Sequence, residues 1–246
     1  MKKATILLLL MILAGGCSLF QPGSRLKGFH KMLPLTEGNQ VVFENLNGKL
    51  EVFGWKKESL EVLAAKTGKS TLLKQTEIKV GKTEKEVHIH PLYPRFEKDK
   101  VFIDMELRVP QKTALKIKIQ NGDLVCNQVY GAIAAEIING GIVIEDFSGT
   151  ARMNAKNGKI VTRLYEPKEG DVLHLETVKG DIVLFLPAGA STKLSVETKE
   201  GTVHSEYLEA KKDAPPVKNW EYTLGSGAAE IHLHSTSGNI HIKKLY

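Results

Sequence analysis

Aromatic residues and cysteines are scarce in this chain. Of its 246 residues only 7% are Phe, Trp or Tyr, and the two cysteines are Cys17 and Cys126. Two cysteines cannot staple a small disulfide scaffold, so folding must rest on a buried core. An excess of one charge is also missing. Lys and Arg total 34 against 28 acids, a net charge of +6, and without residues 1–16, which hold two lysines and no acid, 32 − 28 leaves +4. That excess is spread along the chain, whereas a nucleic-acid footprint gathers basic residues on one face, so no nucleic-acid partner is expected. The one long apolar run, Ile6 to Leu13, is too short to span a bilayer. No nucleophile motif, phosphate loop or metal signature is present, so neither catalytic residues nor a cofactor or metal are expected.

Glycine is plentiful, and it is periodic. Gly122, Gly131, Gly140, Gly149 and Gly158 fall at intervals of nine, and every second one follows an asparagine (Asn121, Asn139, Asn157). A fixed interval of this kind marks a stacked repeat. Each nine reads as a short strand plus a tight turn, and each eighteen as one coil of a single-stranded β-solenoid. Two residues beyond the glycines Gly122, Gly140, Gly158, Gly180, Gly201 and Gly238 lie Leu124, Ile142, Ile160, Ile182, Val203 and Ile240. Four beyond lie Cys126, Ile144, Thr162, Leu184, Ser205 and Ile242. Strand alternation sends both sets to one face, and stacking places like above like. Residues one beyond, such as Asp123, Lys159 and Asp181, are expected to face water. Asn-Gly is also the strongest two-residue hairpin signal, so an antiparallel meander or sandwich is the alternative fold.

The N-terminus reads as an export signal: Met1-Lys2-Lys3, the apolar run, then small residues up to Gly16. Leu13-Ala14-Gly15-Gly16-Cys17 resembles a bacterial lipobox, with Ala14 where that pattern prefers leucine. The resemblance implies cleavage before Cys17 and a lipid on its thiol, which is the one expected attachment site. Several acyl chains on one cysteine anchor firmly where a single chain holds marginally. Ser18 after the cysteine resembles the outer-membrane sorting pattern of a two-membrane cell. The expected organisation is a lipoprotein signal peptide at 1–16, a tether at 17–40, an N-terminal β region at 41–110 that caps the solenoid, and solenoid repeats at 111–246. Gly48, followed by Leu50 and Val52, already repeats the coil register. Later intervals of 22, 21 and 37 residues carry insertions, and the longest, around 206–224 with Ala210 to Pro216, is expected to protrude.

Few residues invite chemistry. His88-x-His90 and His232-x-His234 each place two imidazoles on one strand face, with His241 nearby in sequence, but their aliphatic neighbours take the inward side. They are expected to be exposed and free of metal. Cys126 lies on the inward face and is expected to be an inert buried thiol. Asp123, Glu145, Asp146 and Asp181 are expected to be solvated charges. Trp55 is expected in the core. Trp220 and Tyr222, beyond the Pro-Pro loop, suit either core or a contact patch.

Three segments together resemble the bacterial β-strand-repeat "putative adhesin" family of unknown function. They are Glu44 to Val52 followed by Gly54-Trp55, then Leu107-Arg108-Val109-Pro110 followed by Asn121-Gly122-Asp123-Leu124, and the closing Ser237-Gly238-Asn239-Ile240. The likeness runs over about 41–246. It implies a β-helical fold, an envelope or surface location and no reaction. The expectation is a membrane-anchored envelope lipoprotein, held to the membrane by its N-terminal lipid. It would act as a non-catalytic binding or structural module for an unidentified envelope protein or glycan. The alternatives are a regulatory lipoprotein in envelope-stress sensing and a polysaccharide-acting β-helix enzyme.

Overall fold

A computed structural model describes residues 28–207 and 218–245, so the signal segment and Cys17 lie outside the described residues. The nine-residue period leaves room for a strand of four to eight residues and a corner, and that is what forms. The chain begins with β1 (Phe29–Pro34), β2 (Gln40–Asn47), β3 (Leu50–Trp55) and β4 (Ser59–Thr67). A short helix α1 (Ser70–Gln75) leads to β5 (Glu77–Lys82), β6 (Glu86–Leu92) and β7 (Phe102–Pro110). The regular part follows as β8 (Ala114–Asn121), β9 (Leu124–Asn127), β10 (Ile133–Asn139), β11 (Ile142–Phe147), β12 (Ala151–Asn157), β13 (Ile160–Leu164), β14 (Val172–Lys179) and β15 (Ile182–Pro187). The chain closes with β16 (Thr192–Thr198), β17 (Val203–Ser205), β18 (Asn219–Leu224), β19 (Ala229–Ser237) and β20 (Ile240–Leu245).

Two ten-stranded sheets face each other. One runs β1-β4-β7-β3-β9-β11-β13-β15-β20-β17 and the other β18-β16-β19-β14-β12-β10-β8-β2-β6-β5. The two strands of a coil lie in different sheets, and successive coils pair parallel and in register: Ile142 stands against Leu124 and Ile160, and Ile160 against Ile182. The hairpin alternative is therefore excluded, because β8 and β9 do not pair. Leu124, Ile142, Ile160, Ile182 and Ile240 are all fully buried. Each such side chain contributes about 1.5–3 kcal/mol by leaving water.

The corner after the first strand of each coil explains the glycines. A Cβ on Gly122 would lie 2.0 Å from the Gly48 carbonyl oxygen, and one on Gly158 would lie 1.8 Å from that of Gly140. Only hydrogen fits between corners so closely stacked. The preceding asparagines form a ladder: the Asn139 amide donates to Asn121 Oδ1 at 2.7 Å and the Asn157 amide to Asn139 Oδ1 at 2.8 Å. The carboxylates next to the glycines work in the same place. Asp123 accepts the Gly141 N–H at 2.7 Å and Asp181 the Asn239 N–H at 2.8 Å, so they clamp the next coil's backbone instead of facing water freely.

Three expectations are corrected. The coils do not stack in chain order. The β19/β20 coil is inserted between β14/β15 and β16/β17, and β2/β3 packs directly on β8/β9 with β6/β7 outside it. Within the stretch expected as tether, residues 29–34 form β1, which pairs antiparallel with β4. Within the expected 206–224 loop, residues 219–224 form β18 on the edge of β16, while Ala210 to Pro216 lie outside the described residues.

The ends are closed by antiparallel strands and charge. At the N-terminal end Lys31 Nζ donates to the Val80 carbonyl at 3.1 Å, and Lys82 Nζ to the Pro34 carbonyl at 2.7 Å, tying β1 to β5 across the two sheets. Lysine on an edge strand also discourages pairing with another chain. The stacking makes a direct prediction. Gly158→Ala lowers stability by about 3–5 kcal/mol in urea denaturation, whereas Gly189→Ala, with nothing within 4 Å of its added carbon, changes it by about 0.5 kcal/mol or less.

Candidate functional site

The inward faces of both sheets are consumed by the core, so recognition must use the outward faces. A concavity interrupts them on one side. β2 and β6 pair from Gln40–Glu86 to Phe43–Ile89 and then diverge. The gap is a shallow groove of about 400 Å³ on the β6-β2-β8-β10 face. Leu46, Pro91 and Ile138 supply its apolar surface, and Glu44, Lys118 and Glu136 cross it in a row, with Lys118 Nζ 3.3 Å from a Glu136 oxygen. Tyr93 closes one side by donating its hydroxyl to Asn45 Oδ1 and accepting the Asn47 N–H at 3.3 Å. Burial pushes the Tyr93 phenol up, against the lowering effect of its hydrogen bonds to the Asn47 and Leu46 backbone. Ile138 is 45% exposed, large for an isoleucine in a strand-rich fold.

The histidines converge from positions far apart in sequence. His88 and His90 share the outward face of β6, and His232 and His234 that of β19, as their spacing requires. In-register pairing then sets His174 on β14 beside His232, rings stacked at 4.6 Å and 9°. His204 on β17 lies beside His241 at 5.1 Å and 10°. Parallel rings send their nitrogens side by side, away from a common point. Carboxylates are nearer than the sequence suggests: Glu86 lies 2.9 Å from His88, and Glu197 3.4 Å from His234. Among the described residues no three His, Cys, Asp or Glu side chains gather as a metal site would need.

Residues 41–243 match the Toastrack DUF4097 family. The chain belongs to this family. No curated protein matches it in sequence. Among solved structures, a "putative cell adhesion protein" from Clostridium sporogenes is 14% identical with a TM-score of 0.45, covering 89% of this chain and 100% of that one. A "putative adhesin" from Bacteroides fragilis is 12% identical, TM-score 0.34, over 89% and 97%. A "putative lipid binding protein" from Parabacteroides distasonis is 10% identical, TM-score 0.28, over 89% and 97%. At these identities and TM-scores none of the three bears on function.

The remaining candidates in this Toastrack chain are structural. Cys126 is fully buried, and desolvation pushes its thiol far above the ordinary range, which removes the thiolate a nucleophile needs. Asp123 and Asp181 are committed to backbone N–H groups. Glu145 lies 3.4 Å from Arg163, and Asp146 sits at a bulge with φ of 48°. Trp55 is half-buried and closes the β3–β4 turn by donating to the Ser59 carbonyl at 2.7 Å. Trp220 packs on the core, and Tyr222 stacks against it at 5.3 Å. One row escaped the sequence reading. Val125, Val143, Val161 and Val183 stand in register on an outward face, one residue beyond the buried aliphatics. The period of eighteen carries the first three, and the 22-residue interval that also separates Gly158 from Gly180 carries Val183, so they were legible in principle.

The stacked imidazoles make stability depend on pH. His174 is held below its ordinary range by partial burial and then by His232 and Arg152, and His241 by partial burial and then by His204. The unfolded chain therefore takes up these protons more readily. Stability is full above the unfolded pKa of about 6.5 and is lost as pH falls from there toward the depressed folded values. Urea midpoints measured from pH 7.5 to pH 5 should decline, and the H174N/H241N double variant should flatten the decline.

Proposed function

We propose that this protein is an exported, lipid-anchored envelope protein that binds another envelope component, protein or glycan, along the groove between β6, β2, β8 and β10, without catalysis. The observation that carries the reading is the groove itself. It is concave, amphipathic and built on in-register strands, and a site on rigid strands holds its shape better than one on loops. Stacked coils extend the neighbouring face, which suits a long partner. Non-catalysis is supported by the fate of three of the four candidate acids: Asp123 and Asp181 hold backbone amides and Glu145 pairs with Arg163. Anchoring is supported by the lipobox-like segment ending at Cys17.

Two measurements test this. A photocrosslinker at Gln120 in the groove should capture a specific envelope component, and Ile138→Asp should reduce capture about fivefold or more. The same adducts from a crosslinker at Lys193, far along the stack, would contradict the groove as the site. Separately, Cys17 should take up labelled fatty acid in cells and Cys17→Ser should not.

A further inference from the structure

At the N-terminal end of the stack, two connections meet at one corner. The first links β4 to β5 through α1. The second, residues 93–101, links β6 to β7. They are packed together, because a Cβ on Gly68 would lie 2.9 Å from the Lys100 carbonyl oxygen and 3.4 Å from the Leu73 side chain. The second connection is framed by exposed apolar groups: Leu92 at its start is 44% exposed, Phe96 at its tip 74% and Phe102 at its end 48%. Scattered apolar residues are ordinary on a surface, but these three stand at the start, tip and end of one connection. Its surround is cationic. The Arg95 guanidinium lies 5.5 Å from the Phe96 ring centre, and Lys69, Lys74, Lys98 and Lys100 are exposed beside it. Against these five cations stand three carboxylates, of which Glu97 is paired with Lys100 and Glu77 with Lys79.

The chain enters at this same corner. Phe29 pairs with Ala64, and three residues further along β4 Thr67 pairs with Phe102. The first described strand therefore starts roughly 10 Å along the strand direction from Phe102. Cys17 precedes Phe29 by twelve residues, a reach of at most about 40 Å. A lipid on Cys17 would hold this corner within that reach of its membrane.

We propose that this corner is a second, non-covalent membrane contact: Phe96, at the tip of the connection that Leu92 and Phe102 bracket, enters the headgroup region of an anionic bilayer while Arg95, Lys98 and Lys100 meet lipid phosphates. Apolar insertion combined with attraction to anionic lipid is how interfacial segments hold a membrane. The inference deepens the anchored-protein reading and rests on it for the direction of the corner. The contact itself is independent of acylation. It sets the N-terminal corner against the bilayer, with the β16/β17 coil at the opposite end of the stack.

The test uses residues 17–246 with Cys17→Ser, which retains every described strand and carries no lipid. Co-sedimentation with phosphatidylcholine vesicles is compared with and without about 30% phosphatidylglycerol. The protein should partition to the anionic vesicles and release as salt rises. F96S and the K98E/K100E pair should each weaken partition about tenfold or more, with unchanged urea midpoints, and K193E at the far end should not. No binding, equal binding to neutral vesicles, or full binding by F96S and K98E/K100E would overturn the proposal. Fatty-acid labelling of Cys17 fails or succeeds separately, so a wrong anchor and a wrong contact surface give different results.

Discussion

From Gly48 onward, the corner after the first strand of each coil rests on its neighbour through a contact that only glycine permits. Each corner glycine faces the carbonyl oxygen of its predecessor at a distance where a Cβ would collide, from Gly48 through Gly122, Gly140, Gly158 and Gly180 to Gly238 and Gly201. That contact fixes the rise from coil to coil. Because the corners are fixed, the strands between them are in register. Because they are in register, like side chains pile up: aliphatics inside, asparagines along one edge, valines and histidines outside. The polar clamps follow the same logic. Thr177, Ser235 and Thr198 donate hydroxyls to the corner carbonyls of the neighbouring coil at 2.8–3.1 Å, so oxygens at these crowded corners are not left without a donor.

The C-terminal end of the chain is secured in the same manner. The C-terminal coil is not the last in space but lies between two others. Asn239 shows how: its N–H is held by Asp181 on one side while its Oδ1 accepts the Thr202 N–H at 3.0 Å on the other. At the opposite end β2/β3 is likewise one coil in. Fraying of the C-terminal coil would therefore have to open sheet pairings on both sides, which raises the cost of local opening, whereas β1 at the other end is an edge strand paired with β4 alone. The outermost positions go to strands with weaker inward faces, such as β17, whose Val203 is only partly buried. A stack secured this way presents rigid outward faces, and the groove beside β2 is concave because β6 leaves its partner after Ile89.

Much of this was legible in the residues themselves. The period of nine, the aliphatics two and four beyond each glycine, and the inward Cys126 all follow from local chemistry repeated at constant spacing. Spatial order did not follow, because β16/β17 and β19/β20 carry the same signature and either could sit on β14/β15. What separates them is how completely each fills an interior layer, and Ile240 and Ile242 do so where Val203 and Ser205 do not. The stacked imidazoles were half legible. His232 and His234 announce themselves by spacing, but His174 and His204 join them only once the register is known. The groove was illegible, since it exists through a divergence of two strands that no motif marks. The capping strand β1 was missed because four of its six residues are exposed and it sits in sequence among prolines and glycines that read as tether.

The inserted C-terminal coil is the sharpest consequence of corner stacking and the easiest to contradict. Two cysteine pairs in the Cys17→Ser background decide it when treated with dibromobimane, which bridges only adjacent thiols. Val183 is in register with His241, and His241 with His204, so Val183 and His204 are separated by a whole strand. V183C/H241C should crosslink efficiently and V183C/H204C should not. The reverse outcome would mean that the coils stack in chain order, and the account of both ends would fall.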